Sequence, residues 1–244
     1  EQDSMGDLWL GTRGSGLLKF DGSSFTQWDR KQGLPHNVIR SVAIDQQGRV
    51  WMGTWGQGIC MKEGNEFYQF SEAEGLSCNL ITKIFIDSQQ RIWFGTEYGG
   101  VGVINQGRLM QYSAKEGLME NTILDIEESN TGEILFATYG AHLCSWDGQQ
   151  FYYWDQAVGI NEQLIWCLNK DKEGTIWIGS YGESLYKWNG NTLSQLVIEG
   201  NQKIGPIMSI RESKDGSVWM ATYGKGIIQL YQDKINFIDA KDGF

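Results

Sequence analysis

The sequence predicts an all-β protein, a β-propeller of four-stranded antiparallel blades. Three observations carry this reading. A five-residue tag returns at a constant interval, and each interval holds four short strand patterns separated by turn residues. No stretch of helical length shows the 3.6-residue apolar spacing of an amphipathic helix.

The tag is Leu8-Trp9-Leu10-Gly11-Thr12. It returns as Val50-Trp51-Met52-Gly53-Thr54, Ile92-Trp93-Phe94-Gly95-Thr96, Ile134-Leu135-Phe136-Ala137-Thr138, Ile176-Trp177-Ile178-Gly179-Ser180 and Val218-Trp219-Met220-Ala221-Thr222. Its second position falls at 9, 51, 93, 135, 177 and 219, an unbroken period of 42 residues. Within the unit that opens at Asn37, Val38–Ile44 reads as the innermost strand and ends in Asp45-Gln46-Gln47-Gly48. The Trp51 strand follows, closed by Thr54-Trp55-Gly56-Gln57-Gly58. Ile59–Lys62 is the third strand, and Phe67–Phe70 the fourth. The turn between the last two reads Asp21-Gly22, Asp147-Gly148 and Asn189-Gly190 in sibling units, pairs suited to tight hairpins.

A lone four-stranded sheet leaves an apolar face bare, and stacking such sheets radially buries it. The tag Trp fits that role in five of six units. Leu135 replaces it in one, where Phe151, Tyr152, Tyr153 and Trp154 are expected to compensate. Asp3-Ser4-Met5-Gly6 has the phase of Asp45–Gly48, so the first unit lacks its innermost strand. The last unit ends at Asp242-Gly243-Phe244, where a further innermost strand would begin. The expectation is five complete blades plus one of three strands, in a single domain over 1–244 cut from a longer protein. Residues after Phe244 would close a ring of six, or a further repeat a ring of seven.

Composition agrees. The 244 residues include 32 Gly and 11 Trp against 2 Pro, which signals many tight turns rather than low complexity. A net charge of −10 argues against a nucleic-acid partner. No apolar run approaches the ~18–20 residues of a membrane span.

The repeating cycle Gly-Leu…Asn-x-Val/Ile-x-x-Ile…Asp-x-x-Gly-x-Val/Ile-Trp-x-Gly-Thr…Gly-x-Gly-Ile/Leu resembles the two-component regulator propeller repeat. Gly33 through Gly58 carries it in full, and Gly75 through Val101 and Gly159 through Leu185 carry most of it. The resemblance implies a periplasmic sensor domain of a histidine kinase, hybrid regulator or diguanylate cyclase, in a family whose members recognise carbohydrate breakdown products. It implies a non-catalytic module that binds a small molecule, such as an oligosaccharide, without a cofactor. Output domain, membrane attachment and a homodimer contact would come from segments outside this sequence.

The residues themselves show little sign of other chemistry. His36 and His142 fall at different repeat phases, so they do not converge on a metal. Asp45, Asp87 and Asp171 open turns and are expected to accept backbone N–H bonds rather than bind calcium. Cys60 and Cys144 share a phase on third strands two blades apart, and Cys78 and Cys167 lie in non-adjacent units, so the four read mostly as buried free thiols. Gly56-Gln57-Gly58 precedes no helix and is no phosphate loop.

Positions that break the period are the candidate ligand site. Just after the tag stand Arg13, Trp55, Glu97, Tyr139, Tyr181 and Tyr223. Early in the innermost strands one phase reads Arg40, Thr82, Leu124, Trp166 and Met208. Of these, Arg13, Trp55, Glu97, Tyr139, Tyr181, Tyr223, Arg40 and Trp166 are the candidate ligand-binding residues. Aromatic faces with a few charged hydrogen-bonders suit sugar rings, and also suit a protein partner. A scaffold for protein contacts or dimerisation is the alternative. A propeller lyase is a third reading, and it would want a histidine-centred cluster.

Overall fold

The computed structural model describes residues 1–140, 143–154, 159–160, 164–182, 184–196, 204–232 and 234–239. His142 and Asp242–Phe244 therefore lie outside the described residues. The chain forms two compact units, Glu1–Ile123 and Leu124–Phe244. In the first unit, β1 (Leu8–Gly11), β2 (Leu17–Phe20) and β3 (Phe25–Trp28) make a three-stranded blade. Two four-stranded blades follow: β4 (Ile39–Ile44), β5 (Val50–Thr54), β6 (Ile59–Glu63) and β7 (Glu66–Phe70), then β8 (Ile81–Ile86), β9 (Ile92–Thr96), β10 (Val101–Asn105) and β11 (Arg108–Tyr112).

The second unit carries three more. They are β12 (Ile123–Glu128) to β15 (Phe151–Trp154) through β13 (Ile134–Thr138) and β14 (Leu143–Trp146); β16 (Ile165–Lys170), β17 (Ile176–Ser180), β18 (Leu185–Trp188) and β19 (Leu193–Gln195); and β20 (Ile207–Glu212), β21 (Val218–Thr222), β22 (Ile227–Tyr231) and β23 (Lys234–Ile238). Every sheet is an antiparallel meander in chain order. The fold is a β-propeller with five four-stranded blades and one of three strands.

The tag explains how blades stack. A Cβ added at Gly53 would stand 2.7 Å from Ile81 Cγ2, and one at Gly11 2.7 Å from Ile39 Cγ2, each in the next blade. The innermost-strand isoleucine thus lies flat on the tag glycine, which only a small residue permits. Beside it the apolar side chains of paired blades merge. Trp51, Ile59 and Met61 of the second blade form one cluster with Ile81, Ile84 and Phe94 of the third. Leu135 is fully buried with Trp154 and Ile165 in the cluster joining the fourth and fifth blades. Trp154 thus supplies part of the expected compensation. Phe151 packs instead on Trp146, 4.6 Å between ring centres, and Tyr152 is exposed.

Aspartates at the first turn act as expected and do more. Asp45 Oδ1 accepts from the amides of Gln47 (3.0 Å) and Arg49 (2.9 Å), while Oδ2 accepts from Trp51 Nε1 at 2.9 Å. The same indole bond joins Trp9 to Asp3, Trp93 to Asp87 and Trp177 to Asp171. The tag Trp is therefore fixed at both ends, its ring by packing and its N–H by a carboxylate. This spacing of six residues was visible in the sequence, but the pairing was not drawn from it. Three single-turn 3-10 helices, at Arg30–Gln32, Glu72–Glu74 and Ala114–Glu116, lead from an outer strand toward the next blade, each opened by a capping box. All four cysteines are free and buried, and burial pushes the Cys60 and Cys144 thiols up to about 12.

One side chain contradicts the apolar interface. Lys62 is buried, with Nζ 4.7 Å from the Trp28 ring centre and 5.9 Å from that of Trp9, donating to the Gly64 carbonyl. Desolvation, with repulsion from Lys19, holds its pKa below the ordinary lysine value. Folding therefore disfavours its charged form, and Lys62 weighs against stability until the pH rises toward the unfolded-state value. Equivalent positions 42 residues apart carry Phe20 and Ile104. Lys62→Met should stabilise the protein by about 1 kcal/mol at neutral pH. That would be read as a melting temperature higher by about 2–4 °C, the gain shrinking as the pH approaches 10.

Candidate functional site

In an antiparallel meander the second-to-third-strand loop and the connection to the next blade emerge at the same end. They are hydrogen-bonded together here. Gly58 N donates to Asn79 O at 2.9 Å and Gly100 N to Asn121 O at 2.9 Å, and Trp55 bridges Leu80. The post-tag residues and the starts of the innermost strands therefore share a surface within each unit.

A local distortion puts side chains on that surface. The β4–β5 ladder pairs Ile39 with Thr54 and then Ser41 with Gly53, so Arg40 is one residue too many. The same bulge leaves out Thr82 in β8, Trp166 in β16 and Met208 in β20. A bulged residue takes no place in the ladder and its side chain is re-aimed. The one phase singled out early in the innermost strands is thus the bulge position, a feature that spacing alone did not reveal.

In the first unit four candidates meet. The Arg40 guanidinium lies 4.4 Å from the Trp55 ring centre, and its Nη1 stands 2.7 Å from Glu97 Oε2. Both charges are partly solvated, so the pair contributes under about 1 kcal/mol, and its effect is to orient Arg40 flat over the indole. Glu97 spends its carboxylate on this pair. Arg13, Val38, Arg40 and Trp55 line a pocket of about 280 Å³. Arg13 is exposed and forms no ion pair among the described residues, which leaves its guanidinium open to solvent.

In the second unit the same geometry recurs with different chemistry. The rings of Trp166 and Tyr181 lie 5.8 Å apart, the bulge residue again against the post-tag residue. Tyr139 and Tyr223 are 57% and 68% exposed, with no ring contact among the described residues. They offer open aromatic faces to solvent. Thr82 is buried, and its hydroxyl has no hydrogen-bond partner. His36 is a brace: its Nδ1 accepts from Val38 N at 3.0 Å. Among the described residues no three metal-ligating side chains converge, and no helix is long and apolar enough to cross a membrane.

Residues 33–56, 75–98 and 159–182 each match the family model described as two component regulator propeller. No curated protein matches the chain in sequence. Among solved structures it is similar to the extracellular domain of BT3049, an inferred hybrid two component system from B. thetaiotaomicron. The identity is 22% and the TM-score 0.86, over 100% of this chain and 34% of that one. A second is the extracellular domain of BT4673 from B. thetaiotaomicron, at 20% identity and TM-score 0.82, over 98% of this chain and 35% of the other. Streptogramin B lyase is a third, at 19% identity and TM-score 0.77, over 98% and 78%. The chain spans about a third of the length of the two extracellular domains. At these identities the likeness establishes the fold, and three stretches of the chain match the two component regulator propeller repeat.

Proposed function

We propose that this propeller is a non-catalytic ligand-binding module of a sensor, presented outside the cytoplasm by a longer membrane protein. It takes a small molecule, such as an oligosaccharide, on the face where the post-tag residues stand. The observation that carries this reading is the pocket of Arg13, Val38, Arg40 and Trp55. Its polar groups sit at positions that vary from blade to blade, and one cation has no partner in the described residues. An indole face offers the C–H surface of a sugar ring a flat apolar partner. Guanidiniums flanking it can donate to hydroxyls or an acidic substituent. The fold shared with two extracellular domains of two-component systems supports the sensor role and the location.

Binding is preferred over lyase chemistry because these side chains are donors and stacking surfaces, and His36 spends its Nδ1 on Val38. Calorimetry of the chain against a panel of neutral and acidic oligosaccharides tests the proposal. At least one should bind, and Arg13→Ala and Trp55→Ala should each weaken it about tenfold, a loss of roughly 1.4 kcal/mol. A panel that gives no heat, or variants that bind as the parent does, would remove the reading.

A further inference from the structure

A second site lies at the other end of the second unit's blades, where the first-to-second and third-to-fourth strand turns emerge. Between the fourth and fifth blades runs an open cleft of about 880 Å³, lined among others by Glu133, Ser145, Tyr152, Trp154 and Trp188. It opens where the fourth blade departs from the repeat as a set. At the phases of Asp45, Arg49 and Trp51 it has Ser129, Glu133 and Leu135. In the second blade those three residues are tied together by the Asp45–Arg49 ion pair and the indole bond. In the fourth, neither the indole nor the guanidinium is there to occupy the groove.

Three periods earlier, the groove between the first and second blades holds the Lys19 ammonium, paired with a carboxylate, and Lys62, whose burial works against its charge. Lys19 Nζ pairs with Asp7 Oδ2 at 2.5 Å and lies 5.3 Å from the Trp9 ring centre. Lys62 Nζ lies over Trp28 at 4.7 Å. Advanced by 126 residues, Asp7 becomes Glu133, Trp28 becomes Trp154, Lys19 becomes Ser145 and Lys62 becomes Trp188. The later groove thus keeps an anion and an indole and has lost both internal cations. A second indole has been added, with Trp188 meeting Trp154 edge-on at 4.7 Å. Glu133 is half-buried and forms no ion pair among the described residues.

We propose that this cleft binds an organic ammonium ion, the cation of a small amine or quaternary ammonium compound. Trp154, Trp188 and Tyr152 would surround the cation, and Glu133 would balance its charge. Aromatic faces attract a desolvated cation through the ring quadrupole, and a carboxylate at the rim selects charge over shape. Asp147 contributes field more than contact, because its carboxylate already accepts from the amides of Gln149 (2.7 Å) and Gln150 (2.9 Å).

The test compares choline with 3,3-dimethyl-1-butanol, its uncharged isostere, by calorimetry on the whole chain. Choline should bind at one site and about fivefold more tightly than the isostere, the discrimination expected of cation–π contacts in an open cleft. Glu133→Gln, on the half-buried rim, should weaken choline about fivefold or more. Ser145→Lys should abolish binding, because it returns to the groove the tethered ammonium of the first blade. Arg13→Ala should leave choline affinity unchanged. Absence of choline binding at up to about 10 mM would overturn the proposal, since that limit leaves less than roughly 3 kcal/mol of binding energy. So would equal binding of the isostere, or full affinity in folded Glu133→Gln.

Discussion

Gly58→Ala should destabilise the protein by about 4 kcal/mol, while Gly56→Ala, two residues earlier, should cost only about 1 kcal/mol. Both glycines have positive φ, +107° at Gly56 and +72° at Gly58, so each alanine would bear left-handed strain. Space separates them. Nothing lies within 4 Å of a Cβ at Gly56, whereas one at Gly58 would stand 2.1 Å from the Phe70 carbonyl oxygen and 3.0 Å from Ser71 Cα. The obstacle is backbone of the outer strand, which cannot turn aside as a side chain would. Moving it would strain the bonds that close the loop, Thr54 N to Gly58 O at 3.0 Å and Gly58 N to Asn79 O at 2.9 Å. The same clash recurs at Gly16, Gly100 and Gly226, where a Cβ would lie 2.1–2.2 Å from a carbonyl oxygen. In the fifth blade Ser184 holds this phase without a positive φ, so there the backbone itself has changed. Urea denaturation of the two variants decides the matter. Equal losses would mean that the outer strand yields freely.

Asp45→Ala should cost about 3 kcal/mol, the scale of breaking a buried, hydrogen-bonded charge pair. Its side chain is almost wholly buried, and it receives Trp51 Nε1 at 2.9 Å, Arg49 Nε at 2.6 Å and two backbone amides. Removing it strands a buried indole N–H and frees Arg49, which also stacks 5.7 Å from the Trp51 ring centre. Burial pushes the Asp45 pKa up, but the Trp51, Arg49 and backbone hydrogen bonds together outweigh it, and the net position lies below the usual aspartate value. A carboxyl lowered on folding contributes stability above its unfolded pKa and loses it as the pH falls through the folded one. The parent should therefore lose stability below about pH 4, and Asp45→Ala should lose less over the same range. Thermal melts from pH 7 to pH 3 measure both. Parallel curves for the two proteins would show that Asp45 does not carry this acid sensitivity.

Much of the fold was legible because stacked blades must repeat. A structural role that recurs every 42 residues writes itself six times, and an indole or a turn aspartate needs no partner identified to be seen. What stayed hidden depends on pairs. The Trp51–Asp45 bond falls within one unit at a fixed spacing, yet each residue had a sufficient reason to be there alone. Ser71 and Glu74, likewise, spell a capping box too short for helical periodicity to register. The candidate face was chosen by asking where repeats differ, and that rule brought Arg13, Arg40, Trp55 and Glu97 together across blades. It could not show that Arg40 and Glu97, 57 residues apart, engage each other. Nor could it show that Leu135, read as a core substitution, marks a cleft on the opposite end. Lone substitutions are ambiguous, and the linked change at Ser129 and Glu133 was the signal that would have resolved it.

The extra residue in each inner strand has an evolutionary corollary. Because it takes no place in the ladder, arginine, threonine, tryptophan and methionine can each occupy it without disturbing the pairing of the residues on either side. The side chain displayed there can then change one blade at a time while the strands on either side keep their register, a freedom that a residue inside the ladder does not have.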